Sequence, residues 1–448
     1  MALTQGQKAG WGLADLGVVV FVVVKQLLVL AFLTSYLGVP AGMAGAATTG
    51  VLVFDMITDP VIGYLSDRTD SRFGRRAPWM VAGAVVMVAG MVGLFAVPGG
   101  MAGVAALPWV LGFFCLATLG FTMVAIPYGA LAGEITEDAR DRSQMMSWRM
   151  GFASLGILLG GALVPALAAS VGHARAALVV SPLILGAIWV SVWSIRDAPR
   201  HATPVRIGPR QVLAHVLGNR PFLVLAGLYG VMTLAVALIT AGLPFAALYL
   251  ITDTGDTPLS GVAQAVSVLS LLFAAFTVGS ILSQAGWVLA SARLGKLGAL
   301  VLGLCLYVVL LLGLFAALPS SNVTAIAGLF VLAGMTNGAY QQIPWAMYPD
   351  LMDVTRARTG AAIEGGFSAI WLVGQKLANA LAPGALGIIL GAFGWRETTR
   401  GRIVQDPGAL EALQVTVTLV PAAILGLAVA GLLVLYRPLV ARARAAPG

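Results

Sequence analysis

The sequence predicts an all-α polytopic membrane protein of twelve transmembrane helices, arranged as two six-helix halves. Three observations carry that prediction. Of 448 residues, 59% are hydrophobic and only 10% charged, where a soluble globular chain carries roughly 25% charged residues. The mean hydropathy is +0.94. One span takes about 20 apolar residues, so twelve spans with short loops use most of the chain. The pattern also repeats: Ile126-Pro127-Tyr128, followed by a charged loop from Glu134 to Arg142, has a counterpart 217 residues later. There Ile343-Pro344-Trp345 is followed by a charged loop from Pro349 to Arg358. No polar stretch is long enough for a separate domain, which excludes a soluble enzyme on a membrane anchor. The apolar run after Trp11 is too long for a signal-peptide core and has no small-residue cleavage site behind it, so it is read as the first span.

Apolar runs fall at about residues 11–37, 42–66, 78–98, 105–133, 145–170 and 176–195. After a polar link they resume at about 220–251, 261–291, 296–317, 322–349, 359–392 and 412–436. Backbone groups in lipid must bond internally, so each run is read as a helix. This divides the chain into an N-terminal bundle, 1–195, a cytoplasmic linker, 196–219, and a C-terminal bundle, 220–448. Paired halves of this kind are a transporter plan, with the substrate site expected between them near the midplane.

The formal charge of +8 reports topology rather than a nucleic-acid partner. Lys25, Arg149 and Lys376 fall in apolar segments, and Arg175, Arg396, Arg400 and Arg402 in loops placed outside. The remaining Lys and Arg lie on the other side, which puts both termini in the cytoplasm of a multi-pass protein of the cell (inner or plasma) membrane. Cys115 and Cys305 sit one per half in apolar helices, and His173, His201 and His215 are read in loops. Neither a disulfide nor a structural metal is expected. No Walker motif occurs, so direct coupling to ATP is not expected.

An ionisable side chain at mid-bilayer costs about 2.5–3.5 kcal/mol on insertion scales, so each needs a partner or a function. The candidates are Asp15, Lys25, Asp55, Asp59, Arg149, Glu364 and Lys376, whose formal charges sum to −1. Asp55 and Asp59 are four residues apart and share one helix face. Two carboxylates so close in low dielectric take up a cation, or one holds a proton. Sodium also wants neutral oxygens, and Thr122 on the fourth helix offers one. The alternative is a pair neutralised permanently by Arg149 or Lys376. Lys25, within the first span, either pairs with Asp55 or Asp59 in place of a cation or faces the cavity to bind an anionic substrate group. Tyr128, Gln341, Trp345 and Trp371 are further candidates, since sugars need amides for hydroxyl bonds and aromatic faces for stacking; of Gln341 and Gln342, at most one reaches the cavity.

Between the second and third spans runs Gly63-Tyr64-Leu65-Ser66-Asp67-Arg68, then Asp70, Arg72 and Gly74-Arg75-Arg76. Asp67 can pair with Arg68, Arg75 and Arg76 in a charge cluster that breaks and reforms as helices rock. This loop resembles the signature loop of the major facilitator superfamily. The longer string from Asp55 through Asp59-Pro60 and Gly63 into Gly74-Arg75-Arg76 resembles the glycoside–pentoside–hexuronide:cation symporters more specifically. The resemblance implies the twelve-helix fold, a cation site at Asp55, Asp59 and Thr122, and basic residues at Arg149 and Lys376 near sugar and cation. Two departures matter: an acidic residue of the family beside the Ile-Pro pair is Ala125 here, and a sugar-binding acidic residue of the first helix is Val19. Galactoside specificity is therefore not carried over.

The expected function is cation-coupled symport of a sugar, glycoside or hexuronide by alternating access. No cofactor is expected beyond the coupling ion, Na⁺ or H⁺; the partners are a small-molecule substrate and the lipid bilayer, and the chain is expected to act as a monomer. A second reading keeps the fold and takes a lysophospholipid or another amphiphilic or organic anion, since the vertebrate lysophospholipid symporters resemble this group. A third is a non-transporting scaffold or sensor on a transporter fold. A polytopic enzyme has no nucleophile–base pair or metal set within the spans to support it.

Overall fold

The computed structural model describes residues 3–136, 138–198, 214, 216–359 and 364–445. Much of the predicted linker, including His201, and His215 lie outside the described residues. Helix α1 runs Gln5–Ser35 and opens on a capping box, in which Thr4 and Gln7 satisfy each other's backbone N–H groups. It is followed by α2 (Ala41–Arg68), α3 (Ala77–Phe95), α4 (Leu107–Glu134) and α5 (Ala139–Leu158). A π turn, Leu159–Leu163, carries α5 into α6 (Val164–Val171), and α7 spans His173–Ser194. Then come α8 (Arg220–Tyr249), the short α9 (Ser260–Val266), α10 (Val268–Ala317), α11 (Val323–Thr359) and α12 (Glu364–Ala392). The described chain closes with α13 (Pro407–Val417), α14 (Leu419–Gly431) and, after a second π turn, α15 (Arg437–Ala445).

Eleven helical stretches among the described residues are long and apolar enough to cross a membrane. One of them, α10, has 50 residues and so would measure about 75 Å, more than twice a hydrocarbon core. It is broken at Gly295, whose φ of +73° lies in the left-handed region that favours glycine. Counted as two, it brings the spans to the expected twelve. Gly74, between α2 and α3, has the matching φ of +84°. In each case the next residue is a cation that reaches a carboxylate of a later helix: Arg75 pairs with Glu134, the last residue of α4, at 2.9 Å, and Lys296 with Asp350, within α11, at 2.6 Å. The repeat read from the sequence is thus also a repeat of conformation and ion pairing.

Three local expectations need correction. The charged stretch after Pro349 is not a loop, because α11 continues to Thr359; a proline removes one backbone bond and leaves the rest of the ladder intact. Asp141 and Arg142 are likewise helical, since Asp138 accepts from the Asp141 N–H at 2.9 Å and caps α5. His173 is the first residue of α7, packed against the rings of Phe32, Tyr36 and Phe95.

The chain forms two compact units. Unit 1 comprises Met1–Pro204, Val262–Leu271 and Trp395–Val404; unit 2 comprises Val205–Gly261, Leu272–Gly394 and Gln405–Gly448. In unit 1, α1 packs against α5 and α7, α3 against α4 and α7, and α2 against α4. Small residues permit the approach: a Cβ on Gly12 would lie 2.8 Å from the Arg149 backbone nitrogen, and one on Gly156 2.9 Å from the Leu16 carbonyl. Segment Trp395–Val404 closes the ends of two unit 1 helices. Thr398 and Gly401 donate N–H groups to the Thr34 and Ser35 carbonyls at 3.0 and 2.8 Å, and Glu397 accepts from the Ala41 N–H at 2.8 Å. In unit 2, α8 is the helix around which α11, α12, α13 and α14 pack.

Candidate functional site

The four-residue spacing on α2 does what helical geometry requires and turns Asp55 and Asp59 to the same side, toward α4. There the buried Thr122 hydroxyl lies 2.8 Å from Asp55 Oδ1 and 3.4 Å from Asp59 Oδ1. The other face of Asp55 is met from α1, where Lys25 Nζ stands 3.9 Å from Oδ2. The Lys25 ammonium also lies over the Phe121 ring, 4.5 Å from its centroid, and 5.5 Å from that of Phe21. Asp55 and Lys25 are 3% and 7% exposed. Three helices thus bring two carboxylates, one hydroxyl and one ammonium together, with Asp55, Thr122 and Lys25 buried and Asp59 partly exposed.

A second polar group joins α1 to α5. Arg149 Nε donates to Asp15 Oδ2 at 2.6 Å, and its guanidinium sits 5.4 Å from the centre of the Tyr128 ring. Tyr128 stacks on Trp11 with centroids 4.7 Å apart. Both are buried, and among the described residues the Tyr128 hydroxyl and the Trp11 indole N–H have no hydrogen-bond partner. Arg149 keeps a third of its side chain exposed, with donors beyond Nε available to a ligand. It is therefore Asp15, not the α2 pair, that neutralises Arg149. Sequence reasoning counted Asp15 among the buried charges without giving it this partner, and it did not single out Trp11 as part of a site.

At the C-terminal end of α2, the expected charge cluster forms. Arg76 is buried and bonds Asp67, Glu134 at 3.0 Å and the Ser66 hydroxyl at 2.7 Å. Arg75 adds a second arm to Glu134. Arg68 stands apart from this group, with its guanidinium 4.0 Å from the Tyr64 ring centre. Sequence reasoning missed a neighbouring clasp, in which Lys8 reaches Asp141 at 2.6 Å and Gln144 at 2.7 Å.

In unit 2 the predicted aromatics gather around Tyr229 of α8. Trp371 stacks on Tyr229 at 4.3 Å and on Tyr348 at 5.0 Å, and Trp345 donates its indole N–H to the Tyr229 hydroxyl at 3.0 Å. Tyr340 extends the group, stacking on Tyr229 and bonding Thr233 at 2.9 Å. Trp345 is the most open of these rings at 39% exposure. Gln341 accepts from Ser280 at 3.4 Å, whereas Gln342 turns the other way and donates to the Gln284 carbonyl at 3.2 Å. Lys376 is half-buried on α12, and Glu364 begins that helix with its side chain outside the described residues. Among the described residues no group of three His, Cys, Asp or Glu is placed to hold a metal.

The family described as MFS/sugar transport protein matches residues 10–438. The chain belongs to that family. It is a polytopic membrane transporter, not an enzyme, as the resemblance read from its sequence implies. The transporter is 25% identical over 431 residues to the putative glycoside/cation symporter YagG of Escherichia coli, covering 94% of this chain and 89% of the relative. It is 26% identical over 363 residues to sodium-dependent lysophosphatidylcholine symporter 1 of Xenopus tropicalis, covering 72% and 66%. Its fold is that of the nucleoside transporter NupG, with a TM-score of 0.64 at 10% identity over 96% of this chain and 98% of the other.

Proposed function

We propose that the transporter couples uphill movement of a sugar, glycoside or hexuronide to Na⁺ or H⁺ across the cell membrane, acting as a monomer with both chain ends cytoplasmic. The observation that carries this reading is the convergence of Asp55 and Asp59 on Thr122 inside unit 1. Carboxylates within a membrane span are costly, and a static scaffold gains nothing by keeping two of them on one helix face. Loading one cation there relieves their repulsion. Coupling then requires only that the loaded and substrate-bound form be favoured over either ligand alone. The excess of Lys and Arg on one side of the spans supports the orientation.

Substrate contacts are assigned in unit 1 to Arg149, which has spare donors beside Asp15, and to Tyr128 and Trp11, each with an unpartnered polar atom. In unit 2 they are assigned to the open indole of Trp345 and to Gln341, with Trp371 packed edge-on against Trp345 and Lys376 as the basic residue of α12. The test is uptake into proteoliposomes of a panel of pentosides, hexosides and hexuronates, with a sodium or proton gradient as the only driving force. Asp59→Asn should abolish uphill uptake and spare exchange. Uphill uptake equal to wild type in that variant would remove the hypothesis.

A second reading, symport of a lysophospholipid, is favoured by Val19 and Ala125, which stand where the family's sugar-binding carboxylates are expected. The resemblance to the Xenopus symporter supports it as well. Lysophosphatidylcholine in the same panel separates the two.

A further inference from the structure

Resting on the symport reading above, we propose that Asp15 sets the charge class of the substrate, so that Arg149 beside it takes an uncharged, hydroxyl-bearing part of a sugar and turns away an anionic group. Arg149 alone would make an anion site, because a guanidinium offers five N–H donors and no acceptor. Asp15 changes that. Its Oδ2 accepts from Arg149 Nε at 2.6 Å, so the pair as a whole is neutral. An anion brought to the guanidinium meets the Asp15 charge at nearly the same distance, and attraction and repulsion largely cancel.

The pairing also leaves a definite set of hydrogen-bonding groups. Among the described residues, Asp15 Oδ1 accepts no hydrogen bond and the outer N–H groups of Arg149 donate none, while a third of the Arg149 side chain is exposed. A sugar hydroxyl both donates and accepts, so it can give its hydrogen to Asp15 Oδ1 and take an N–H from Arg149. A carboxylate has no hydrogen to give. The remaining charges on the helices packed against this pair lie elsewhere. Along α1 the nearest are Lys8 and Lys25, about 10 and 15 Å away on the helix axis. Asp55 and Asp59 of α2 gather at Thr122, which lies about 9 Å before Tyr128 along α4. Glu134 ends α4 within the arginine cluster, and α7 carries His173 and Arg175 in its first turn.

Two neighbours mark the pair as part of a ligand site rather than a clasp between helices. Trp11, one turn before Asp15, stacks on Tyr128 of α4 with centroids 4.7 Å apart, and the Arg149 guanidinium lies 5.4 Å from the centre of the Tyr128 ring. Trp11 and Tyr128 are 0% and 1% exposed, yet the indole N–H and the phenol hydroxyl have no partner among the described residues. Polar atoms buried in this way cost stability, and a hydroxyl-rich ligand supplies what both lack. The pair two turns earlier on the same helices differs. There Lys8 and Asp141 are closed over by protein groups, with Leu3 donating its N–H to Asp141 at 3.1 Å and Gln144 accepting from Lys8 at 2.7 Å.

The experiment measures dissociation constants for the full chain in nanodiscs, at neutral pH with sodium present. The probes are matched pairs: the methyl glycosides of glucose, galactose and mannose, each beside its uronate, which differ only in a neutral or an anionic group at one carbon. Wild type should bind the neutral member about tenfold or more tightly than the uronate. Asp15→Asn keeps the shape and leaves the Arg149 charge uncompensated. It should reverse the order, weakening the neutral sugar and strengthening the uronate, whereas Asp15→Glu should keep the order of wild type. An ion pair with a purely structural role would change both members alike. Wild type that prefers the uronate, or binds both members equally, would overturn the proposal while leaving symport intact, and this arm decides even if Asp15→Asn does not fold. A folded Asp15→Asn with the wild-type ratio would overturn it as well. Binding of neither member of any pair, with lysophosphatidylcholine raising the melting temperature instead, would remove the sugar reading on which the proposal rests.

Discussion

Replacing Arg149 with Met strands a carboxylate inside unit 1, because Asp15 is only 5% exposed and Arg149 Nε, at 2.6 Å, is its ion-pair partner. At that separation an effective dielectric near 20 gives a gross attraction of about 6 kcal/mol. Desolvation of Asp15 takes back a large share, and the 33% exposure of Arg149 weakens the field further. A net coupling of about 2–3 kcal/mol is expected. Arg149→Met alone should therefore cost about 3 kcal/mol, or about 6 °C of melting temperature at about 2 °C per kcal/mol. Asp15→Asn removes the stranded charge with no change of shape. The double variant should then melt several degrees above the sum of the two single losses. The assay is a melting series on the four purified proteins in one detergent. Losses that add to within about 0.5 kcal/mol, as independent sites do, would refute the pairing and the α1–α5 register behind it.

Thr122→Val keeps the shape and removes the hydroxyl between the carboxylates; it should abolish ion-driven uptake, while Thr122→Ser retains it, measured in the same vesicles. Gly156→Val places a Cβ 2.9 Å from the Leu16 carbonyl and 3.1 Å from Val19 Cβ. Such overpacking costs about 1–3 kcal/mol and should lower the melting temperature by several degrees. In the charge cluster between α2 and α3, Arg76→Gln should destabilise more than Arg75→Gln. Arg76 is 8% exposed at its side chain and serves Asp67, Glu134 and Ser66, whereas Arg75 is 37% exposed and serves Glu134. Equal melting temperatures for those two variants would contradict the assignment.

Much of this was legible in the sequence because membranes restrict the choices. Once every span must be a helix, a spacing of four residues is enough to put Asp55 and Asp59 on one face. The break at Gly295 was readable because two spans with hardly any polar link between them still need a turn. Pairing across helices was harder. Asp15 and Arg149 are 134 positions apart, and their meeting depends on how closely α1 and α5 approach. The signal for that was present in Gly12, Gly156 and Gly160, which line the crossing. Tyr229 and Trp11 went unnoticed because an aromatic in an apolar run looks the same whether it packs, anchors or binds. The charged stretch after Pro349 was read as a loop from composition alone, and a helix can carry such residues once it leaves the lipid.

The hydrogen bonds of Trp395–Val404 to the ends of α1 and α2 also order events during biosynthesis. Glu397 follows its partner Ala41 by 356 residues, which a ribosome adding about 5–20 residues per second covers in roughly 20–70 s. For that time the first two helices are already in the bilayer with these terminal groups served only by interfacial water. The first hairpin to be inserted is therefore among the last to be finished, and a nascent chain stalled before Trp395 carries a unit 1 that is inserted but still open at that edge.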